Sequence, residues 1–319
     1  MKRRVVVITG GSSGVGRAAA RLFGAQGDAV GLIARGQEGL EAARREVEAA
    51  GGEAVAVTAD VADADQVETA ARVIEETLGP IDVWINGATV SVFAPVSELL
   101  PDEARRVTEV TYLGAVYGTM AALKRMKPRD EGVIIQVGSA LAYRALPLQA
   151  AFCGAKHGLH GFTESLRGEL LQEKSRVKVT MVQLPALNTP QFEWSRSKMQ
   201  VQPQPQPPVF QPEVAARAIL WAASHPRPEL KVGAGLIDRY LARAAHREQA
   251  ASVSVPPDRQ DNLWEPIPGD HGARGPFDRQ AANWSAQLWL TEHRWLAWPV
   301  LAGMAVLSSR AWRRGSRSS

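Results

Sequence analysis

The stretch VVVITGGSSGVGRAAARLF constrains the fold more than any other, because it sets three glycines between a continuously apolar run and an alanine-rich helical pattern. Gly10 permits a sharp turn at a strand end, Gly14 lets the backbone approach a pyrophosphate, and Gly16 lets the following helix pack closely. The start of that helix turns unpaired N–H groups toward an anion. Ser12 and Ser13 add hydroxyl donors, and the Val15 amide belongs to the same turn. A glycine trio alone is a weak signal; the strand before it and the helix after it supply the context that dinucleotide binding needs. The opening MKRRVVVITGG is therefore read as a first buried strand, since Val5–Ile8 is too short for the apolar part of a signal peptide.

Strand-length apolar runs at Arg4–Thr9, Ala29–Ala34, Ala54–Ala59, Val83–Asn86, Val133–Val137, Lys178–Leu184 and Leu230–Val232 alternate with helical spacing such as Leu40, Ala43, Val47 and Ala50. That alternation predicts an α/β, Rossmann-type, doubly wound parallel sheet of about seven strands with helices on both faces. The pattern breaks after Thr189. VQPQPQPPVFQP (201–212) excludes a helix interior or a central strand and predicts an extended excursion before a helix starting near Pro212. Residues 251–283, rich in Pro, Gly, Asp and Arg, are expected to form a loosely packed C-terminal extension. The organisation expected is a cofactor and catalytic unit over 1–250, that extension over 251–290, and an apolar-then-basic segment over 291–319.

Within the last segment, WLAWPVLAGMAVLSS (295–309) carries no charge and lies between Arg294 and Arg310. As a helix it would reach about 22 Å, short of the ~30 Å hydrocarbon layer. A peripheral membrane contact is expected, with Trp295 and Trp298 at the interface; the alternative is a helix docked on the domain or on a second subunit. The net charge of +4 owes much to Arg310, Arg313, Arg314 and Arg317, and the first 250 residues show no basic stripe interleaved with aromatics, which argues against nucleic-acid binding. Cys153 is the single cysteine, so an internal disulfide is excluded and a reducing, cytoplasmic setting is expected. No His/Cys/Asp cluster has metal-ligand spacing, and no metal is expected.

The end of the second strand discriminates between cofactors. GLIARGQEGL gives Ala34 then Arg35, with no acid before Glu38 to take a ribose 2′-hydroxyl. Arg35 suits a 2′-phosphate, with Arg17 placed to assist, and NADP(H) is predicted over NAD(H).

In QAAFCGAKHG (149–158), Phe152 and Lys156 stand one helical turn apart on the same face. With the glycine loop, this segment completes an ordered set that resembles the short-chain dehydrogenase/reductase family over roughly residues 4–235. Thr9 to Gly16 has the spacing T-G-x-x-x-G-x-G, and Asp60-Val61 ends the third strand where the family touches adenine. INGA (85–88) stands where the family has N-N-A-G, which brings Asn86 and Ala88 to the cofactor. IIQVGSA delivers Ser139, Lys156 follows at the family's interval, and PALNTP (185–190) places Thr189 to meet the nicotinamide carboxamide. The resemblance implies reversible hydride transfer between a nicotinamide ring and a small-molecule alcohol or carbonyl. In the family a serine holds the substrate oxygen and a tyrosine moves the proton. A lysine lowers the tyrosine pKa and binds the nicotinamide ribose, and an asparagine supports a water relay. A homo-oligomer is also implied.

Two of those four positions differ. Phe152 fills the tyrosine slot and Thr111 the asparagine slot, while Ser139 and Lys156 remain. Phenylalanine keeps the ring and removes its only titratable atom, and general acid–base catalysis is worth about 10²–10⁴-fold. Cys153 and His157 point about 100° round the helix and make poor substitutes. Tyr143, in the loop after Ser139, and a water held by Ser139 and Lys156 are the remaining candidates. Phe192 and Trp194 are candidates for a substrate lid. Three readings stay open: a slow oxidoreductase, a catalytically impaired NADP(H)-binding sensor or scaffold, and an isolated Phe152 substitution in an active lineage.

Overall fold

The computed structural model describes residues 3–233, 249–254, 256 and 259–293. The 295–309 segment and the arginines after it lie outside the described residues. Among the described residues, no helix is long and apolar enough to cross a membrane.

Seven strands form the central sheet: β1 (Val5–Thr9), β2 (Ala29–Ala34), β3 (Glu53–Thr58), β4 (Val83–Asn86), β5 (Val133–Ser139), β6 (Lys178–Leu184) and β7 (Glu229–Lys231). Their order is β7-β6-β5-β4-β1-β2-β3, and every pairing is parallel. This is the Rossmann-type sheet that the alternation predicted, with strand limits shifted by a residue or two at several ends. The strand order reverses at β1, so a crevice opens beyond the carboxyl ends of β1 and β4, where doubly wound sheets hold their ligands.

Each strand face buries against its own helical layer. Val6 and Ile8 pack with Ala18, Ala19 and Phe23 of α1 (Gly14–Ala25), with Leu40 and Val47 of α2 (Gln37–Ala49), and with Val214 and Ile219 of the Pro212–Ser224 helix. Val5 and Val7 pack on the opposite side with Ile74 of α3 (Ala64–Leu78), with Ala121 and Ala122 of the Gly114–Met126 helix, and with Leu166 of the Ala150–Gln172 helix. The two-residue period of the pleat thus splits VVVI between two cores, which is why the run is apolar throughout. Here α4 is Pro101–Thr108, α5 is Gly114–Met126, α6 is Ala150–Gln172 and α7 is Pro212–Ser224. Proline stands in the first turn of α7, where its missing N–H has no helical partner to lose.

The glycine turn between β1 and α1 is sterically compulsory. A Cβ on Gly16 would sit 2.1 Å from the Gly10 carbonyl oxygen, and Gly10 itself has φ +74°. Thr9 ties the turn to the end of β4: its Oγ1 accepts hydrogen bonds from the Gly87 and Ala88 amides at 3.1 and 3.3 Å.

The proline-rich excursion forms only short ladders. Val201–Pro203 pairs antiparallel with Ala250–Ser254, and Val209–Phe210 pairs with Ala186–Leu187 and Ala281–Ala282. Residues 259–293 are docked more closely than their composition suggested. Leu263, Ala273, Phe277 and Leu288, the last on α8 (Ala286–Glu292), are all buried against the main unit. The reason is polar as well as apolar: a succession of arginines and backbone groups on the main unit bonds this segment directly, as described below.

Candidate active site

One cleft runs across the carboxyl ends of the strands, from the turn after β2 to the loops after β6. Its middle is the glycine turn, where Gly10, Ser12, Ser13, Gly14, Val15 and Gly16 all line the wall. Ser13 caps α1 without spending its side chain on the helix and lines the cleft, so its hydroxyl is available as a donor there. The Gly14 amide donates to the Gly272 carbonyl at 3.1 Å.

At the β2–β3 end the wall consists of Ala34, Arg35, Asp60 and Val61. Arg35 reaches toward the mouth: Nη1 donates to the Trp264 and Leu263 carbonyls at 2.5 and 3.4 Å, and Nη2 to the Asn262 carbonyl at 2.5 Å. Burial, and then the neighbouring Arg106 guanidinium, lowers its pKa. Asp60 accepts from the Ala62 amide at 3.0 Å and pairs with Arg106. Arg17, expected to assist Arg35, is committed elsewhere. It is buried, holds Glu46 of α2 at 2.9 Å and Asp270, and does not line the cleft.

At the other end Ser139, Phe152 and Lys156 share the wall. Ser139 closes β5, and its Oγ accepts the Leu141 amide at 3.1 Å, which leaves its proton free to donate. Phe152 and Lys156 are brought together by the single turn of α6 between them, with Nζ 5.6 Å from the ring centroid. Lys156 is buried with one backbone acceptor, the Val137 carbonyl at 2.8 Å. Removal from water lowers its pKa to about 8. Thr189 lines the cleft, and so do Phe192 and Trp194.

Two expected site residues turn inward instead. Asn86 is buried beneath the cleft: Oδ1 accepts from Trp84 at 2.8 Å, and Nδ2 donates to Thr119 and Gln136 at 3.1 and 3.0 Å. The following Gly87 and Ala88 present the segment to the cleft. Thr111 sits in a π-type turn, Glu109–Leu113, where its Oγ1 donates to the Val90 carbonyl at 3.0 Å and accepts the Val90 amide at 3.2 Å. It braces the strand-end loop and stays out of the cleft, because a threonine is too short to satisfy that loop and also reach outward.

Tyr143 does not replace the missing phenol. It lies outside the cleft, 44% exposed, with its hydroxyl bonded to Glu229, to Gln183 at 3.1 Å and to His160 at 3.1 Å. Partial burial, then the Glu229 carboxylate, pushes its pKa up to about 12. Cys153 is buried away from the cleft, which raises its thiol pKa, and His157 bonds the Cys153 carbonyl within α6.

The sequence reading missed several lining groups. Ser91 is 4% exposed, lines the cleft, and its Oγ has no hydrogen-bond partner among the described residues. Leu141, Leu146, Gln149 and residues 204–207 complete the wall near Ser139 and Phe152. Asn262, Pro266, Ile267, Gly269 and His271 close the cleft from the C-terminal segment. None of these carries a local pattern; only the fold brings them in.

A family model described as short chain dehydrogenase matches residues 4–200. The chain is 33% identical over 286 residues to the uncharacterized oxidoreductase YxnA of Bacillus subtilis, covering 85% of this chain and 80% of that protein. It is 35% identical over 192 residues to 3-dehydrosphinganine reductase of Danio rerio, covering 59% of this chain and 57% of that one. An alcohol dehydrogenase from the archaeon Thermococcus sibiricus, solved with 5-hydroxy-NADP, superposes with a TM-score of 0.64 at 24% identity, covering 72% of this chain and 96% of that one.

Proposed function

Since the chain belongs to the short-chain dehydrogenase/reductase family, we propose that it holds NADP(H) in this cleft and interconverts a hydrophobic alcohol and its carbonyl, slowed by Phe152. The observation that carries the reading is the continuity of one cleft from the glycine turn to Ser139 and Lys156. The residues present fit a dinucleotide. The turn cannot carry side chains at Gly10 or Gly16, and the Ser13 hydroxyl and the start of α1 offer donors to an anion. Arg35 supports NADP(H) over NAD(H): it is cationic, no acid stands beside it before Glu38, and the solved neighbour was crystallised with an NADP derivative.

When bound, the cofactor supplies or accepts the hydride. Ser139 donates a hydrogen bond to the substrate oxygen and fixes it toward the Lys156 side. Lys156 spends one of its three donors on Val137, which leaves two for the cofactor's ribose and for a water beside Ser139. With a pKa of about 8 the ammonium is charged at neutral pH and can pass a proton through that water. Phe152 keeps the substrate against an apolar ring and contributes no proton. Phe192, Trp194 and Leu146 make the substrate side largely apolar, which supports a hydrophobic substrate; 3-dehydrosphinganine reductase is named for a substrate of that character. A cytoplasmic homo-oligomer that touches a membrane peripherally through 295–309 belongs to the same reading.

A second reading is favoured by one specific observation: among the described residues, no tyrosine lines the cleft. It makes the chain an NADP(H)-binding homologue with disarmed chemistry, acting as a sensor or scaffold. NADPH binding followed by fluorescence, together with turnover over a panel of carbonyls, separates the two. Binding with measurable turnover supports the oxidoreductase; binding without turnover supports the disarmed site; absence of binding refutes both.

A further inference from the structure

The cofactor cleft has an outer wall that the matched family region, residues 4–200, does not contain. Residues 262–275 cross its mouth from one end to the other. At the β2–β3 end, Arg35 holds the carbonyls of Asn262, Leu263 and Trp264, and Arg106 holds the Leu263 carbonyl at 3.0 Å while its guanidinium lies over the Trp264 ring. Over the glycine turn, Asp270 pairs with Arg17 and the Gly272 carbonyl takes the Gly14 amide at 3.1 Å. At the far end the Gly275 amide donates to the Asn188 carbonyl at 3.2 Å, and a Cβ on Gly275 would lie 2.4 Å from the Thr189 carbonyl oxygen.

This crossing is more than a cover. Asn262 lines the cleft, and its Oδ1 atom is buried with no hydrogen-bond partner among the described residues. A buried acceptor without a donor is unfavourable unless a ligand satisfies it. The groups around that end cannot do so: Asp60 is itself an acceptor, and the Arg35 bonds run to main-chain carbonyls. The adenosine half of a dinucleotide carries the missing donors, in its amino group and ribose hydroxyls.

We propose that residues 262–275 are a strap closed over the bound dinucleotide, that Asn262 accepts a hydrogen bond from the adenosine half, and that the strap lifts for the cofactor to enter or leave. The proposal rests on the cofactor reading above and adds a binding residue and a step to it. Arg35 then has two duties, gripping the strap through its terminal nitrogens while presenting positive charge to the cofactor. Leu263 and Ala273 anchor the crossing in the two apolar cores, whereas the bonds between them, Asp270 to Arg17 and Gly272 to Gly14, are ones that water can replace, which suits a span that must lift between fixed ends.

The test uses the full chain. NADPH release is timed by fluorescence after displacement with excess NADP⁺, for the unaltered chain and for Asp270→Ala, whose carboxylate is half-exposed and whose buried partner Arg17 keeps its pair with Glu46. Loss of one charge-assisted tether is expected to speed both release and uptake roughly tenfold. In parallel, Asn262→Leu is expected to weaken NADPH and adenosine 2′,5′-bisphosphate roughly tenfold while leaving nicotinamide mononucleotide unchanged. Hydrogen exchange in 262–275 is expected to slow on saturation with NADPH. Unchanged exchange together with unchanged release rates overturns the strap while leaving the cofactor reading standing. Equal weakening of both half-ligands overturns the role of Asn262. Failure of the unaltered chain to bind NADPH overturns the cofactor reading and the strap with it.

Discussion

Replacing Phe152 by tyrosine returns one oxygen to the cleft at the position where chemistry lacks it. The ring centroid lies 5.6 Å from Lys156 Nζ, and the Lys156 side chain is buried. At about that separation and an effective dielectric near 20, a phenolate and an ammonium attract by about 3 kcal/mol, or about 2.2 pK units. A phenol that titrates near 10 in water is thereby drawn to roughly 8, with partial burial pushing some of the way back. Phe152→Tyr is therefore expected to raise carbonyl reduction by about 10²–10⁴-fold at neutral pH. Reduction by the variant falls as pH rises through 8, because the proton donor is lost; alcohol oxidation rises over the same range. Because the glycine turn is untouched, NADPH affinity stays within about twofold, and because the ring is half-buried and lines the cleft, stability changes by less than about 1 kcal/mol. The assay is NADPH consumption across a carbonyl panel at several pH values, with affinity measured separately. Equal turnover by the two proteins, with affinity intact, would falsify the argument that the absent hydroxyl limits the chemistry.

Other expectations follow from single groups. Lys156 titrates near 8 in the folded protein and near 10.5 when unfolded, so the unfolded chain binds more protons between those values and stability rises with pH across that window. Below pH 8 the buried ammonium costs about 3 kcal/mol, and Lys156→Met is expected to be more stable by up to that amount at pH 7, with the gap closing by pH 10.5 in urea titrations. Gly16→Ala, whose Cβ would fall 2.1 Å from the Gly10 oxygen, is expected to lose about 3 kcal/mol and all NADPH binding, read by melting and fluorescence. Tyr143→Phe is expected to leave turnover within about twofold, since the phenol lies outside the cleft; a large loss would return Tyr143 to the catalytic group. Removal of residues 294–319 is expected to shift the protein from membrane to soluble fractions without altering NADPH affinity.

The parts of this protein legible without a structure are those that local pattern encodes. A strand is readable because a buried pleat demands continuous apolar residues, and β1, β5 and β6 appear in VVVI, VIIQV and VTMVQL for that reason. The glycine turn is readable because a missing Cβ is a steric requirement at a fixed spacing. Phe152 and Lys156 are readable as neighbours because one helical turn places them so.

Only tertiary structure decided where the longer-range polar groups go. Asn86 and Thr111 carry the residue types and spacing of cleft residues, yet each is satisfied inside the fold by a loop or helix that has no fixed sequence distance from it. Arg17 and Tyr143 were plausible at the site by proximity along the chain, and each found carboxylates elsewhere. Arg35 finds its acceptors 227 to 229 residues away, in a proline- and glycine-rich segment whose composition suggested a loose tail. Periodicity records which face of an element is apolar, because burial acts on every residue of that face. It does not record which distant carbonyl a particular cation will meet, because that bond exists only once two segments have been folded against each other.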